Sequence, residues 1–268
     1  MDVSGVVAIV TGGSSGIGLA TGRLLARAGA RVALIARTAG PLEAAADSMG
    51  SSARGYPCDV NDRAAVRETL SRLTADLGTP QVLVNNAAFN ARGAVLSRTA
   101  DELAHVIETN LAAPIFFTRV ALDHLRAPAA IVNVASLAGM VPVPHEAAYS
   151  ASKAGLRAFS AALREELRDC GISVSTVCPG PVSTPFLLDH LDEVPDLVFS
   201  QPMTSAEDVA TSVLECIRSG DRERALPGFS GALSHLGYLF PALRSRLLPY
   251  FERIGARNKR RYRSPRST

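Results

Sequence analysis

Short, fully apolar runs alternate with stretches of helical periodicity through roughly the first two thirds of the chain. Residues 6–10, 32–36, 81–84, 130–134 and 172–177 are rich in β-branched side chains, and 54–58 is a weaker sixth run. Runs this short and this apolar predict strands buried on both faces of a parallel sheet. Between them, residues 16–28, 41–49, 62–77, 99–125 and 147–170 carry the helical pattern. Strand and helix in strict alternation predict right-handed crossovers and a doubly wound α/β sheet flanked by helices on both faces. Pro114 lies inside 99–125, removes a backbone donor, and predicts a kink or break near 109–113. Pro179-Gly180-Pro181 opens a loop running to Ser205, where another helix starts. A loop that long is more often a lid or binding loop than a plain connection.

No linker or repeat interrupts residues 1–220, so residues 1–228 read as one domain, with 224–228 as a last strand. Residues 229–268 form a helical extension. There Leu233, Leu236, Leu239, Phe240, Leu243, Leu247, Leu248, Phe251 and Ile254 recur at helical spacing, and Pro241 and Pro249 are expected to split the run into short helices.

Composition changes this picture in two places. With 47% hydrophobic and 20% charged residues among 268, the chain has the make-up of a soluble globular protein. Its net charge of +3 conceals an asymmetry: from Pro241 onward nine basic residues face one acid, a tail of +8 on a body of −5. Such a body does not suit a nucleic-acid reader, and no nucleic-acid partner is expected. The tail reads in three ways: an amphipathic element on an anionic membrane surface, a segment packed on the body, where it could cover the substrate pocket, or on a second subunit, or a disordered solubilising end. The other oddity is lysine. Only Lys153 and Lys259 occur, against 26 arginines.

Cys58, Cys170, Cys178 and Cys216 show neither C-x-x-C pairing nor zinc spacing with histidine, so no metal is expected and the thiols read as inert. The first residues lack a basic segment before their apolar run, and no apolar stretch reaches about 18 residues. The expectation is a cytoplasmic protein, with peripheral membrane contact through the tail left open.

Candidate chemistry starts where the first strand runs into Thr11-Gly12-Gly13-Ser14-Ser15-Gly16-Ile17-Gly18 and then a helix. Glycines let backbone approach a pyrophosphate, and a helix N-terminus offers unpaired N–H groups and a positive dipole end. An acidic residue after the second strand suits a free ribose 2′-OH, whereas arginine suits a 2′-phosphate. Here the chain reads Ala36-Arg37-Thr38, with no carboxylate before Glu43. NADP(H) is therefore favoured, with NAD(H) as the alternative if Arg37 is one more surface arginine. Tyr149 and Lys153 stand four apart on a helix, so phenol and ammonium share a face. A neighbouring cation lowers a phenol's pKa toward neutrality. A chain that otherwise uses arginine keeps lysine there.

With these motifs the sequence resembles the short-chain dehydrogenase/reductase superfamily over about residues 5–220. The glycine turn matches its cofactor motif and Tyr149/Lys153 its Y-x-x-x-K. Asp59-Val60 falls at its adenine contact, Asn85-Asn86-Ala87-Ala88 looks like its N-N-A-G, and Pro179-Gly180 like the turn beside the nicotinamide. The resemblance implies a Rossmann-type fold. It also implies a cofactor set of Thr11, Gly12, Ser14, Ser15, Gly16, Ile17, Gly18, Arg37, Asp59, Val60, Asn86, Ala87, Tyr149, Lys153, Pro179, Gly180, Val182 and Thr184. In catalysis Tyr149 would be the general acid or base, Lys153 would lower its pKa and hold ribose, Ser136 would polarise the carbonyl, and Asn110 would complete a water relay. Ala88 departs from the family's glycine and is tolerable if its φ is negative. Homodimers or homotetramers through the 99–125 and 147–170 helices are implied as well.

Substrate contacts are expected from Ser136, Met140, His145 and Phe186. Phe89, Leu96, Val141, Leu187, Leu188, Leu191, Leu197, Val198 and Phe199 are apolar candidates for which core packing is the other reading. The loop carries four acids and neither lysine nor arginine, which disfavours anionic substrates. The sequence thus predicts an NADP(H)-dependent oxidoreductase acting on a small apolar carbonyl or alcohol of lipid, steroid or retinoid type. Its rivals are a catalytically idle nucleotide-binding scaffold or redox sensor, and a membrane-surface interaction protein.

Overall fold

Apolar strands that alternate their side chains must be covered on both faces, and the sheet is arranged to satisfy this. The computed structural model describes residues 1–263. It contains β1 (Val7–Thr11), β2 (Arg31–Ala36), β3 (Ala53–Pro57), β4 (Pro80–Asn85), β5 (Ala129–Val134), β6 (Ile172–Pro179) and β7 (Glu223–Leu226). All neighbours are parallel, in the order β3-β2-β1-β4-β5-β6-β7. The order reverses between β1 and β4, and a doubly wound sheet opens its binding crevice there.

Helices α1 (Gly16–Arg27), α2 (Ala39–Asp47) and α3 (Arg63–Leu77) follow the first three strands, and Asp62 caps α3 through the N–H groups of Ala64 and Ala65. Ala8 and Val10 pack on one face with Leu25 of α1. Ile9 points to the other face, among Val66 and Leu70 of α3. The expected long helix at 99–125 is instead α4 (Ala100–Ile107), a wider π turn (Glu108–Ala112) and α5 (Ala113–Ala121). Pro114 is the cause. It has no N–H for the carbonyl one turn back, so the chain takes up the slack just before it. Thr99 and Glu102 form a capping box that starts α4.

Helix α6 (Ala147–Glu166) is shorter than the expected 147–170, because a short 3₁₀ turn and left-handed Gly171 end it. The loop after β6 is not structureless. It contains α7 (Pro185–Leu188) and a 3₁₀ turn (Asp196–Ser200) around a small core of Leu187, Val194 and Phe199. Helix α8 (Ala206–Ser219) begins at a Ser205/Asp208 capping box.

The tail forms α9 (Gly228–Leu239) and α10 (Pro241–Arg263). Pro241 separates them as expected, whereas Pro249 does not break α10. Pro249 and Ser245, whose carbonyl loses its partner, are both exposed, so water can satisfy that carbonyl. Helix α10 packs on the Asp196–Ser200 turn. The Lys259 ammonium, 5% exposed, donates to the Val194 carbonyl at 2.5 Å and pairs with Asp196 at 3.2 Å. Asn258 donates to the Phe199 carbonyl. Of the three readings of the tail, residues 229–263 therefore pack on the body; residues 264–268 lie outside the described residues. Among the described residues no helix is long and apolar enough to cross a membrane.

Candidate active site

The C-terminal ends of β1 and β4 are knotted together. Thr11 Oγ1 accepts from the N–H groups of Asn86 and Ala87 at 3.0 and 3.1 Å, and Asn86 Nδ2 donates back to the Thr11 and Gly12 carbonyls. The chain then crosses into α1 so tightly that a Cβ on Gly18 would lie 2.1 Å from the Gly12 carbonyl oxygen. Only glycine permits that crossing. The first-turn N–H groups of α1 are orphans of every helix start, and Ser15 at the N-cap position makes no side-chain capping bond to them. Gly12, Ser14, Ser15, Gly16 and Ile17 line the cavity at this helix end, and Thr11 and Gly18 shape it from behind.

The same cavity, about 710 Å³, is lined by Arg37, Asp59, Val60, Asn86, Ala87, Pro179, Gly180, Val182 and Thr184. Arg37 is exposed at the end of β2 and has no hydrogen-bond or ion-pair partner among the described residues. A glycine cradle on a helix N-terminus, beside an unpaired guanidinium, fits a phosphorylated dinucleotide. Ala88 lines the wall without a positive φ, so the departure from glycine costs no strain.

Ser136, Tyr149 and Lys153 converge on this cavity from two elements. Ser136 opens the 3₁₀ turn after β5, which presses against α6: a Cβ on Gly139 would meet the Lys153 carbonyl carbon at 2.6 Å. The Ser136 hydroxyl accepts from Ala138 N–H at 3.1 Å and donates to the Pro179 carbonyl at 3.4 Å. The Lys153 ammonium, 2% exposed, donates to the Val134 carbonyl at 2.9 Å and lies 5.7 Å from the centre of the Tyr149 ring. Desolvation pushes its pKa down to about 8.

The phenol behaves differently from expectation. Burial pushes the Tyr149 pKa up and the Glu146 carboxylate adds to the rise, outweighing the hydrogen bond from Ser136 and the Arg92 charge. The expected lowering by Lys153 does not prevail, because burying the phenolate costs more than its neighbours return.

Asn110 sits in the π turn, fully buried, with both ends of its amide committed. Its Oδ1 accepts from Phe89 N–H and its Nδ2 donates to the Phe89 carbonyl and to Ser152. It holds the chain after β4 and leaves no side-chain group free for a relay.

Two expected substrate contacts are displaced. Met140 packs with Ala135, Leu137 and Cys178 beneath the site, because the 3₁₀ turn points it inward and gives the cavity Val141 instead. His145 is exposed in a left-handed turn (φ 65°), and its neighbour Glu146 faces in. Phe186, Phe89, Leu187, Leu197 and Val198 do line the cavity. Leu188, Leu191 and Phe199 belong to the loop's own core, and Leu96 is fully exposed. Cover of the pocket by the terminal segment is one of its expected readings: Leu236 of α9, Phe240 between the helices, and Leu243, Leu247 and Phe251 of α10 roof the cavity. One group escaped the sequence reading, the buried pair of Arg92 and Glu146 in the cavity wall, because nothing local pairs them across 54 residues.

Comparison with known proteins agrees with this geometry. The family model described as short chain dehydrogenase matches residues 6–193. A putative ketoacyl reductase of the monensin polyketide synthase from Streptomyces virginiae is 42% identical over 186 residues, 67% of this chain and 71% of that protein. The ketoacyl reductase HetN of Nostoc is 32% identical over 227 residues, 82% of this chain and 78% of its own. The Escherichia coli 3-oxoacyl-[acyl-carrier-protein] reductase FabG is 32% identical over 69% of this chain and 76% of its own. The chain belongs to the short chain dehydrogenase family. It is an oxidoreductase working between carbonyl and alcohol with a nicotinamide dinucleotide.

The buried ammonium makes stability pH-dependent. Below about pH 8 Lys153 is charged in both folded and unfolded chains, and its burial penalty is fully present. Between pH 8 and its ordinary value of 10.5 only the unfolded chain holds the proton, so the penalty is relieved as pH rises. In urea unfolding of the cofactor-free protein, the wild type should gain about 3 kcal/mol on Lys153→Met over that interval. A constant difference between the two proteins would refute the buried charge.

Proposed function

We propose that this protein is an NADPH-dependent reductase of an apolar ketone or aldehyde, with Tyr149 as proton donor. The observation that carries the reading is the convergence of Ser136, Tyr149 and Lys153 on one cavity whose far end is the glycine turn and Arg37. Bound there, the nicotinamide supplies the hydride. First-turn N–H groups of α1 hold the pyrophosphate, Arg37 the 2′-phosphate, Asp59 and Val60 the adenine end, and Asn86, Ala87, Pro179, Gly180, Val182 and Thr184 the nicotinamide end. Ser136 hydrogen-bonds the carbonyl oxygen as negative charge grows on it. The phenol, kept protonated by its surroundings, gives its proton to that oxygen. Lys153 binds ribose hydroxyls and supplies a positive field. A relay through Asn110 falls to the main chain of the π turn, since its side chain is committed.

The substrate class follows from the walls. Phe89, Phe186, Leu197, Leu236, Phe240 and Leu243 surround the space beyond Tyr149. The named relatives reduce ketoacyl groups, and an extended apolar ketone shares that chemistry while suiting the acidic loop. Residues 1–228 then supply chemistry and cofactor, and 229–268 the roof. A homodimer or homotetramer through α4, α5 and α6 completes the reading.

A specific observation favours peripheral membrane contact in addition. Among the described residues, ten of thirteen exposed large hydrophobic side chains lie in 229–262, with Arg246, Arg253 and Arg257 exposed beside them. Leu236, Phe240 and Leu243 both line the cavity and face solvent, so its mouth opens within that patch. An anionic lipid surface fits this combination.

Tyr149→Phe should abolish NADPH-dependent reduction of apolar ketones while NADPH still binds; wild-type turnover in that variant would end the assignment. Arg37→Ala should weaken NADPH binding by about tenfold or more and leave NADH nearly unchanged, since a charge-assisted phosphate contact is worth roughly 1.5–3 kcal/mol. Equal losses for both would remove the NADP preference. The full chain should sediment with phosphatidylcholine vesicles containing phosphatidylglycerol, but not with phosphatidylcholine alone or after Arg246→Glu/Arg253→Glu/Arg257→Glu. Concentration-dependent dimers without vesicle binding would assign the patch to a second copy.

A further inference from the structure

Arg92 and Glu146 are a buried titratable pair that the chemistry above does not use. Arg92 lies in the stretch after β4 and Glu146 immediately before α6, 4% and 6% exposed, with Nε and Oε1 3.3 Å apart. Burying two charges costs more than their attraction returns unless further polar contacts complete the site, and an apolar pair is often as stable. The contacts here are specific. Asn90 Nδ2 donates to Glu146 Oε1 at 3.1 Å, and Arg92 Nη2 donates to the Phe186 carbonyl in α7 at 3.1 Å. The guanidinium also lies 4.9 Å from the centre of the Phe186 ring, which packs 6.3 Å from the Tyr149 ring. These residues close a circuit from the β4 loop through the start of α6 to α7 and back to Tyr149. The left-handed turn at His145, pinned by Gly93 N–H to its carbonyl, is what turns Glu146 inward.

We propose that Arg92 and Glu146 are positioning residues that clamp the α7 segment against the catalytic tyrosine and set the electric field at its hydroxyl. The inference rests on Tyr149 being the proton donor. Four titratable or charged groups bear on the phenol: Glu146 on its own helix edge, Arg92 from the β4 loop, Cys178 from β6, and Lys153 one turn on. Glu146 and Cys178 raise its pKa and Arg92 opposes them, with burial the largest cause of the rise. Burial raises the Glu146 carboxyl itself, and Arg92 pulls it back. Arg92 thus opposes the burial that raises the Glu146 carboxyl, and a charge on Glu146 raises the phenol in turn.

Two arms on the full chain test the field and the clamp separately. In Glu146→Gln, which keeps the shape and loses the charge, the alkaline limb of kcat/KM for NADPH-dependent ketone reduction should move about one pH unit lower. In Arg92→Met, hydrogen exchange across residues 183–191 should quicken about tenfold and KM should rise more than kcat falls. Arg92→Lys keeps the charge without the planar contact, so its pH limb should coincide with that of the wild type while KM stays raised. If Arg92→Met does not fold, Arg92→Met/Glu146→Gln, which leaves no unpaired charge, replaces it in the exchange measurement. Coincident pH profiles for Glu146→Gln and wild type overturn the field, and unchanged exchange at 183–191 overturns the clamp. Failure of the underlying assignment shows separately, as turnover retained in Tyr149→Phe.

Discussion

The structure hangs on the junction where β1 and β4 part company. Strand order reverses there, the chain leaves in opposite directions on either side, and a crevice opens that nothing in the sheet itself holds to a fixed width. Thr11 and Asn86 supply that dimension. Each binds the other's backbone, so the glycine turn and the segment after β4 cannot drift apart. Both walls of the dinucleotide cradle are set by this knot, and so is the origin of the stretch that carries Asn90 and Arg92.

Chemistry is then placed by close packing. Ser136 comes from a turn pressed on α6, and Tyr149 and Lys153 from one face of that helix. The helix would be an ordinary amphipathic one but for burying an ammonium on a main-chain carbonyl. The protein spends stability on that charge, as functional sites commonly do. The phenol's setting has the same character. Burial and a nearby carboxylate both hold the proton on that hydroxyl.

What could be read in advance divides along physical lines. The inner strands were legible because burial on both faces forces uninterrupted apolar runs, and the break before α5 was legible because proline lacks a donor wherever it sits. That the glycine turn, Tyr149 and Lys153 meet at one cavity was legible because a strand–glycine–helix turn and an i, i+4 pair fix where side chains point. Long-range pairing was not. Arg92 and Glu146 are unremarkable in their local strings and meet only in three dimensions. Met140 and His145 were misplaced because a single turn decides which of two neighbours faces a cavity. Pro249 was over-read, since a missing donor is cheap where the orphaned carbonyl meets water. The structured loop after β6 owes its order to a small core completed by α10, a partner some 60 residues away.

The roof over the cavity comes from residues beyond 193, where the family match ends, while the glycine turn, Ser136, Tyr149 and Lys153 lie before it. The cavity is therefore built from two stretches of one chain, its floor and part of its wall from within the family match and its cover from beyond it. Replacing the terminal helices can redraw the contour offered to a substrate without retuning a single acid or base. Lys259, with its hold on Val194 and Asp196, is the joint by which that cover engages the body.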